Sequence, residues 1–421
     1  MSSSGAVSVS DPNLQAAALA FDLKRLDPAF LDDPYPLYHA LRACDPIHRM
    51  PDGSYFLTRY DDCVAVYRDA ATWSSDKKVD FRPPFGESLL YEHHTTSLVF
   101  NDPPYHTRVR KLLAPAFTPR ALAALRSRVE TLVDRLLDRA AERGQIDLID
   151  DFAAAIPVQL IGDMLGIPQD ERDPLRAWSL AILGALEPVL TPAQFERGVK
   201  AVAEFKAYLE DLVRRRVKEG SRDESEILSK LIAASEVAGA KHGEEQMTLV
   251  ELLHNCIFLL NAGHETTTNL IGNAVDLLIR HPDALHALRD DPALIESAVE
   301  EFLRMESSNQ LGNRRATRDT ELGGVAMPAG TYIHIGIGAA NRDPAQFPDP
   351  DELDIRRRPN RHLAFATGIH ACAGNSLARM EGQVAIGKLV QRFRTIARDG
   401  AFVRGGRARF RGFLHYPVRV A

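Results

Sequence analysis

From Thr248 to His281 the chain runs without a proline, and its residues are apolar on nearly every side. Thr248-Leu249-Val250-Glu251 places an acid three residues after a threonine, the pattern of a capping box that opens a helix. At 1.5 Å per residue the helix would be about 50 Å long. A helix apolar all round must run through a core, so the rest of the chain has to wrap around it. At its centre stands Ala262-Gly263-His264-Glu265-Thr266-Thr267. Glycine, an acid and threonines are poor choices for the middle of a buried helix, and such rule-breaking is expected where function sits.

Helical periodicity dominates elsewhere too. Leu122 to Arg143 has apolar residues at helical spacing and stops at Gly144. Phe195 to Val217 ends on Arg214-Arg215-Arg216, basic residues suited to a helix C-terminus. Leu377 to Phe393 is a third such stretch. Strand signals are short: Gly53 to Thr58, Gly330 to Ile335, and Phe413 to Val420. The pattern predicts a mainly α protein with small β-sheets segregated from the helices. Residues 1–20 are expected to be a disordered tail and residues 21–421 one domain.

The balance of 51 basic and 57 acidic residues gives a net charge of -6, which favours neither nucleic acid nor an anionic membrane as partner. Met1-Ser2-Ser3-Ser4-Gly5 has no basic or apolar region of a signal peptide, and the most apolar stretch, Cys256 to Gly263, is too short to span a bilayer. A cytoplasmic, non-membrane protein is expected. The four cysteines, Cys44, Cys63, Cys256 and Cys372, are scattered and form no CxxC pair, which argues against disulfides and structural zinc.

Cys372 has a distinctive setting. Phe365-Ala366-Thr367-Gly368-Ile369-His370-Ala371-Cys372-Ala373-Gly374 leads directly into the helix near Asn375. A cysteine there faces the positive end of a helix dipole and free backbone N–H groups, which favour thiolate. Gly368 and Gly374 permit a tight backbone around the sulfur. A thiolate is an electron-donating axial ligand for iron. The spacing Phe-x-x-Gly-x-His-x-Cys-x-Gly resembles the heme-binding signature of the cytochrome P450 family, with Ala366 where the family usually has glycine.

The resemblance extends from about residue 30 to the C-terminus. Glu301-Phe302-Leu303-Arg304 matches the family's Glu-x-x-Arg motif. Glu301 shares the predicted apolar face of Leu294, Ala298 and Met305, so it needs buried partners. The resemblance implies a structural triad of Glu301, Arg304 and Arg357. It departs at Met305-Glu306-Ser307-Ser308, where the family often has an aromatic residue and prolines. It implies heme b (iron protoporphyrin IX), with Cys372 as iron ligand and His106, Arg110, Arg314 and His370 binding the two propionates. Phe365 and Gly374 would complete the cofactor loop. Carboxylates brought into a core need such charge-assisted donors. The implied fold is that of the cytochromes P450, the long helix lying over the heme and the cysteine loop beneath it.

The resemblance further implies a monooxygenase that activates dioxygen and inserts one oxygen atom into an organic substrate by hydroxylation or epoxidation. Phe258, Ala262 and Thr266 share a helix face, with Asn261 and Glu265 beside them. Glu265 and Thr266 are the candidates for proton delivery, although a threonine hydroxyl often bonds back to the carbonyl four residues earlier. A non-catalytic heme sensor would need no such pair, and peroxide-driven members of the family lack it. With no dinucleotide fingerprint and no room for a flavin domain, electrons are expected from a ferredoxin and its NAD(P)H-dependent reductase. Arg108, Lys111 and Arg379 are candidates for a basic docking patch. The protein is expected to be a monomer. Pocket walls by resemblance are Lys77 to Phe100, Phe258, Asn261, Ala262, Gln310-Leu311 and Gly412-Phe413, which suit a small to medium, largely apolar ligand.

Overall fold

The computed structural model describes residues 11–220, 226–238 and 246–421. Its central element is the helix Leu249–Arg280, opened by both halves of the expected capping box: Thr248 Oγ1 accepts from Glu251 N, and Glu251 accepts from Thr248 N. Leu253, Ile257, Leu260, Ile271, Ala274 and Leu277 are fully buried along it. Its polar residues are tied to their surroundings. Asn255 accepts from Leu98 N, Asn273 donates to the Glu306 and Arg411 carbonyls, and Asp276 accepts from Tyr416 Oη. Gly263 has a packing reason: a Cβ there would lie 2.5 Å from Ile161 Cδ1.

Long helices surround this one at Pro119–Arg143, Pro192–Glu219 and Asn375–Arg392. The first ends where Gly144 takes a left-handed conformation, which glycine adopts without a Cβ penalty. The second opens on an unforeseen capping box, Thr191 with Gln194. One apolar cluster joins these helices to Ala155–Met164, Ile295–Met305 and the C-terminal turn.

The sheets are small and separate. Five strands run in the order Ile47–Arg49, Tyr55–Leu57, Tyr332–Gly336, Leu311–Ala316 and Trp73–Ser74, with a parallel pairing only between Tyr55–Leu57 and Tyr332–Gly336. A second sheet pairs Gln145–Asp147 with Pro417–Val420, and the latter with Ile396–Arg398. The expected C-terminal strand is two strands in different sheets. Phe413–His415 pairs with Val403–Arg404, and Pro417–Val420 turns away after the buried Tyr416.

The expectation of a disordered tail over residues 1–20 does not hold for Pro12–Leu19. That segment is a helix whose first turn is capped by Asp11, with Ala18 fully buried. Residues 1–10 lie outside the described residues. No described helix is long and apolar enough to cross a membrane.

Candidate active site

The cysteine loop is held from both sides. Cys372 N donates to Phe365 O, Asn375 Nδ2 donates to Cys372 O, and Arg110 Nη2 donates to Ala371 O. Gly368 has φ +76°, and a Cβ there would sit 2.3 Å from the Tyr67 carbonyl oxygen, so only glycine fits. Ala366 also has positive φ, at 52°. That conformation explains why glycine suits the position; alanine occupies it at a cost of roughly 1–2 kcal/mol. Gly374 has ordinary φ, so the expected backbone requirement does not apply to it. Its missing side chain instead leaves open cavity wall, with Phe117 the nearest neighbour of a Cβ.

Burial raises the Cys372 thiol above its ordinary range, against the Gly374 N–H and the charges of Arg110 and Arg379. The helix end expected to stabilise a thiolate is therefore not sufficient alone. A buried thiolate here calls for a cationic partner at sulfur.

The Glu301 environment anchors the loop's approach. Arg304 donates to both Glu301 oxygens at 2.8 Å, and Arg357 Nε and Asn360 Nδ2 donate to the same carboxylate at 3.2 and 3.0 Å. Glu301 and Arg304 are fully buried. Asn360 is a fourth member that spacing did not reveal. Arg304 also donates to Asn341 O, while Asn341 Oδ1 accepts from Leu363 N, two residues before Phe365. The unusual Glu306-Ser307-Ser308 segment joins this frame. Glu306 pairs with Arg411 and accepts from Tyr35 Oη, and Ser307 Oγ accepts from Asn341 Nδ2.

One cavity is lined by Cys372, Phe365 and Gly374, by His106, Arg110, Arg314 and His370, and by Phe258, Asn261, Ala262, Thr266 and Leu311. Several donors at one end of it lack acceptors. Neither ring nitrogen of His106 has a hydrogen-bond partner among the described residues, nor does His370 Nε2. Those two rings lie 4.1 Å apart. Among the described residues, the buried Arg314 side chain donates only to its own neighbour's carbonyl, Asn313 O, and it stacks over Tyr67. The nearest acid, Asp102, is 3.9 Å from His370 and already accepts from Ser74 and Ser75. Buried donors without acceptors cost about 1–3 kcal/mol each. A group carrying two carboxylates and a thiolate-seeking metal ion satisfies all of them, so these residues fit heme b.

Thr266 Oγ1 donates to Ala262 O at 2.7 Å, the back-bond anticipated from its type. Glu265 does not line the cavity. It forms an ion pair with Arg407, which also donates to Leu180 O. Burial pushes its carboxyl up to about 7; Arg407 opposes that shift and Glu187 adds to it. Arg407, from a distant turn, carried no sequence signal. Thr267 lines the cavity as well, whereas Thr268 donates back to His264 O and does not.

Parts of the expected pocket wall are corrected. Phe413 packs in the core against Phe402 and Tyr416, while Arg409 and Phe410 of the same turn reach the cavity. Gln310 donates to Ser307 O and sits beside Gly338. Within the Lys77–Phe100 segment, His93, His94 and Ser97 to Phe100 line the cavity; Phe81 and Phe85 support His94 from behind. The expected basic patch is not free. Arg108 is paired with Glu251, Arg379 with Glu300, and Lys111 also has a partner.

Comparison with known proteins agrees with this geometry. Residues 47–401 match the cytochrome P450 family model. The chain is 39% identical over 367 residues to vitamin D(3) 25-hydroxylase of Pseudonocardia autotrophica, covering 86% of each chain. It is 35% identical to 6-deoxyerythronolide B hydroxylase of Saccharopolyspora erythraea, covering 93% of this chain and 97% of that one. The crystal structure of CalO2 superposes with a TM-score of 0.87 at 32% identity, over 96% of this chain and 99% of that one. With this fold, this cavity and these relatives, the chain belongs to the cytochrome P450 family and is a heme b-binding monooxygenase.

Proposed function

We propose that this chain is a single-domain, ferredoxin-dependent monooxygenase. It inserts one oxygen atom into a small to medium, largely apolar organic substrate, drawing electrons from a separate iron–sulfur protein and its NAD(P)H-dependent reductase. The observation that carries this reading is the convergence on one cavity of Cys372, the unpartnered ring nitrogens of His106 and His370, Arg314, and Thr266. Both named relatives are hydroxylases by name.

In this reading Cys372 Sγ would bind the heme iron, and His106, Arg110, Arg314 and His370 would hold the two cofactor carboxylates. Bound heme b supplies the redox iron that activates dioxygen. The chain's own residues do the rest. Leu270, Ile161, Phe258 and Leu311 keep the cavity wall apolar, which excludes water and favours an apolar substrate. Thr266 Oγ1 holds a proton at the cavity wall, and releasing its bond to Ala262 O frees the hydroxyl to donate. Glu265 resupplies that proton from behind the helix, with Arg407 setting its orientation. Electron delivery from a ferredoxin, rather than from peroxide, is supported by this acid–alcohol pair. NADH consumption with a generic ferredoxin and its reductase, compared with peroxide alone, tests it. Turnover driven only by peroxide would refute it.

Arg407 gives a pH test. Glu265 is protonated, and able to give a proton, below its value of about 7. Coupled turnover is therefore expected to fall as pH rises through that value. Arg407→Gln removes the positive charge that favours the carboxylate, so the fall should move to higher pH. An unchanged profile in the variant would place proton delivery elsewhere.

A further inference from the structure

Besides the carboxylate donors, the polar side chains on the cavity wall include Thr266, Thr267, Ser308, Asn309, Glu381 and two further groups. In one, Arg409 is already bonded to the Leu186 and Leu311 carbonyls. The other is His93 and His94, from the helix Leu89–Thr96, with Asn261 of the central helix. These three are buried to 2%, 2% and 3% exposure. Asn261 Nδ2 lies 3.4 Å from His93 Nε2. Among the described residues, His93 Nδ1, Asn261 Oδ1 and His94 Nε2 have no partner.

The chemistry left open by the His93–Asn261 pair does not depend on how its atoms are assigned. If the amide nitrogen donates to Nε2, the ring proton is on Nδ1, and the pair offers two donors (Nδ1–H and the second amide N–H) and one acceptor (Oδ1). If the amide is reversed, Nε2–H donates to the amide oxygen, and the pair offers one acceptor (Nδ1) and two donors (the amide N–H groups). A hydroxyl group, which donates once and accepts at the same oxygen, serves the acceptor and a donor in both cases. A carbonyl or ether oxygen leaves the acceptor unmet.

Charged groups do not fit. Burial holds the His93 ring neutral, and His94 and His254 reinforce this. The nearby acid, Glu92, is occupied by His254 and Lys206. A carboxylate would meet the Arg409 charge, but that guanidinium is already bonded to the Leu186 and Leu311 carbonyls, and an ammonium group would enter without a counter-charge, which is costly in an apolar cavity.

We infer that His93 and Asn261 form a hydroxyl-binding subsite, and that the substrate is an apolar molecule carrying an alcohol group held at this point. The inference rests on the pocket reading given above. Asn261 precedes Thr266 by five residues, about 7.5 Å along the helix axis. The anchored alcohol is thus spaced from the position where Thr266 presents its hydroxyl, and oxidation falls on a different carbon.

The test uses the heme-loaded protein and isothermal titration calorimetry with four probes sharing one apolar body: dodecan-1-ol, 1-methoxydodecane, dodecanoate and dodecyltrimethylammonium. Dodecan-1-ol should bind about five- to twentyfold more tightly than its methyl ether, the scale of one or two net hydrogen bonds, and more tightly than either ion. His93→Phe and Asn261→Leu should each abolish the preference while leaving the ether's affinity within about twofold. His93→Gln, which keeps a donor and an acceptor, should restore part of it. Cofactor content of each variant checks folding. If all probes bind the parent without preference for the alcohol, or if the preference survives both apolar variants, the subsite is refuted and the apolar pocket stands. If no probe binds, the pocket reading fails and the subsite with it.

Discussion

Glu301→Ala is expected to yield little folded, heme-loaded protein. Its carboxylate is fully buried and receives Arg304, Arg357, Asn360 and the Asp354 N–H. Removing it strands the Arg304 guanidinium, also fully buried, without its counter-ion. Breaking a buried pair in this way costs about 3–5 kcal/mol, against a total stability of roughly 5–15 kcal/mol. Arg304→Ala should be comparably damaging, because it takes from Glu301 the fully buried guanidinium that bonds both its oxygens and releases the carbonyl of Asn341, whose side chain positions Leu363 ahead of the cysteine loop. Arg357→Ala should do less harm, since its side chain is partly exposed and three other donors, Arg304, Asn360 and the Asp354 N–H, remain on Glu301. Thermal midpoints and heme per mole of protein measure this order. Normal heme content in Glu301→Ala would mean that the network does not hold the loop.

The second large effect concerns proton supply. Thr266→Ala should leave heme and substrate binding intact, since neither needs the hydroxyl. Electrons still arrive, so NADH consumption continues while product falls and hydrogen peroxide rises. Glu265→Gln should instead slow coupled turnover by about 10²–10⁴-fold, the usual contribution of a positioned acid or base. The control is Thr268→Ala. Thr267 is unsuitable because it lines the cavity, whereas Thr268 only bonds back to His264 O. Product yield per NADH, with peroxide assayed in parallel, separates these cases. Equal coupling in Thr266→Ala, Thr268→Ala and the parent would remove Thr266 from the relay.

The features readable in the sequence were those encoded locally. The capping box at Thr248 and Glu251, the stop at Gly144 and the spacing around Cys372 lie within a few residues, where backbone geometry dictates residue type. Glu301 was legible as buried because helical periodicity put it on the face of Ala298 and Met305. Partners supplied from far along the chain were not legible. Arg407 reaches Glu265 across 142 positions, and its turn, Arg404-Gly405-Gly406-Arg407, looks like any exposed loop. Arg108 and Arg379 looked like free surface cations because Glu251 and Glu300 meet them only after folding. The side chain expected on the cavity wall from the C-terminal turn was Phe413. The chain turns at Phe410, so that Arg409 and Phe410 face the cavity while Phe413 joins Tyr416 in the core. His93 and His94 carried no motif; their place was visible only once Asn261 stood opposite them.

The central claim is that Cys372 ligates the heme iron through sulfur. The most direct measurement is the absorption spectrum of the freshly reduced, heme-loaded protein under carbon monoxide. The account predicts a Soret band at the red-shifted position of thiolate-ligated heme. Cys372→Ser should abolish that band. Cys44→Ser, Cys63→Ser and Cys256→Ser should keep it, since the Cys44 thiol donates to Ala40 O, Cys63 is fully buried, and burial pushes the Cys256 thiol up to about 12. A histidine-type carbon monoxide spectrum in the folded parent protein, or an unchanged thiolate band in Cys372→Ser, would contradict it.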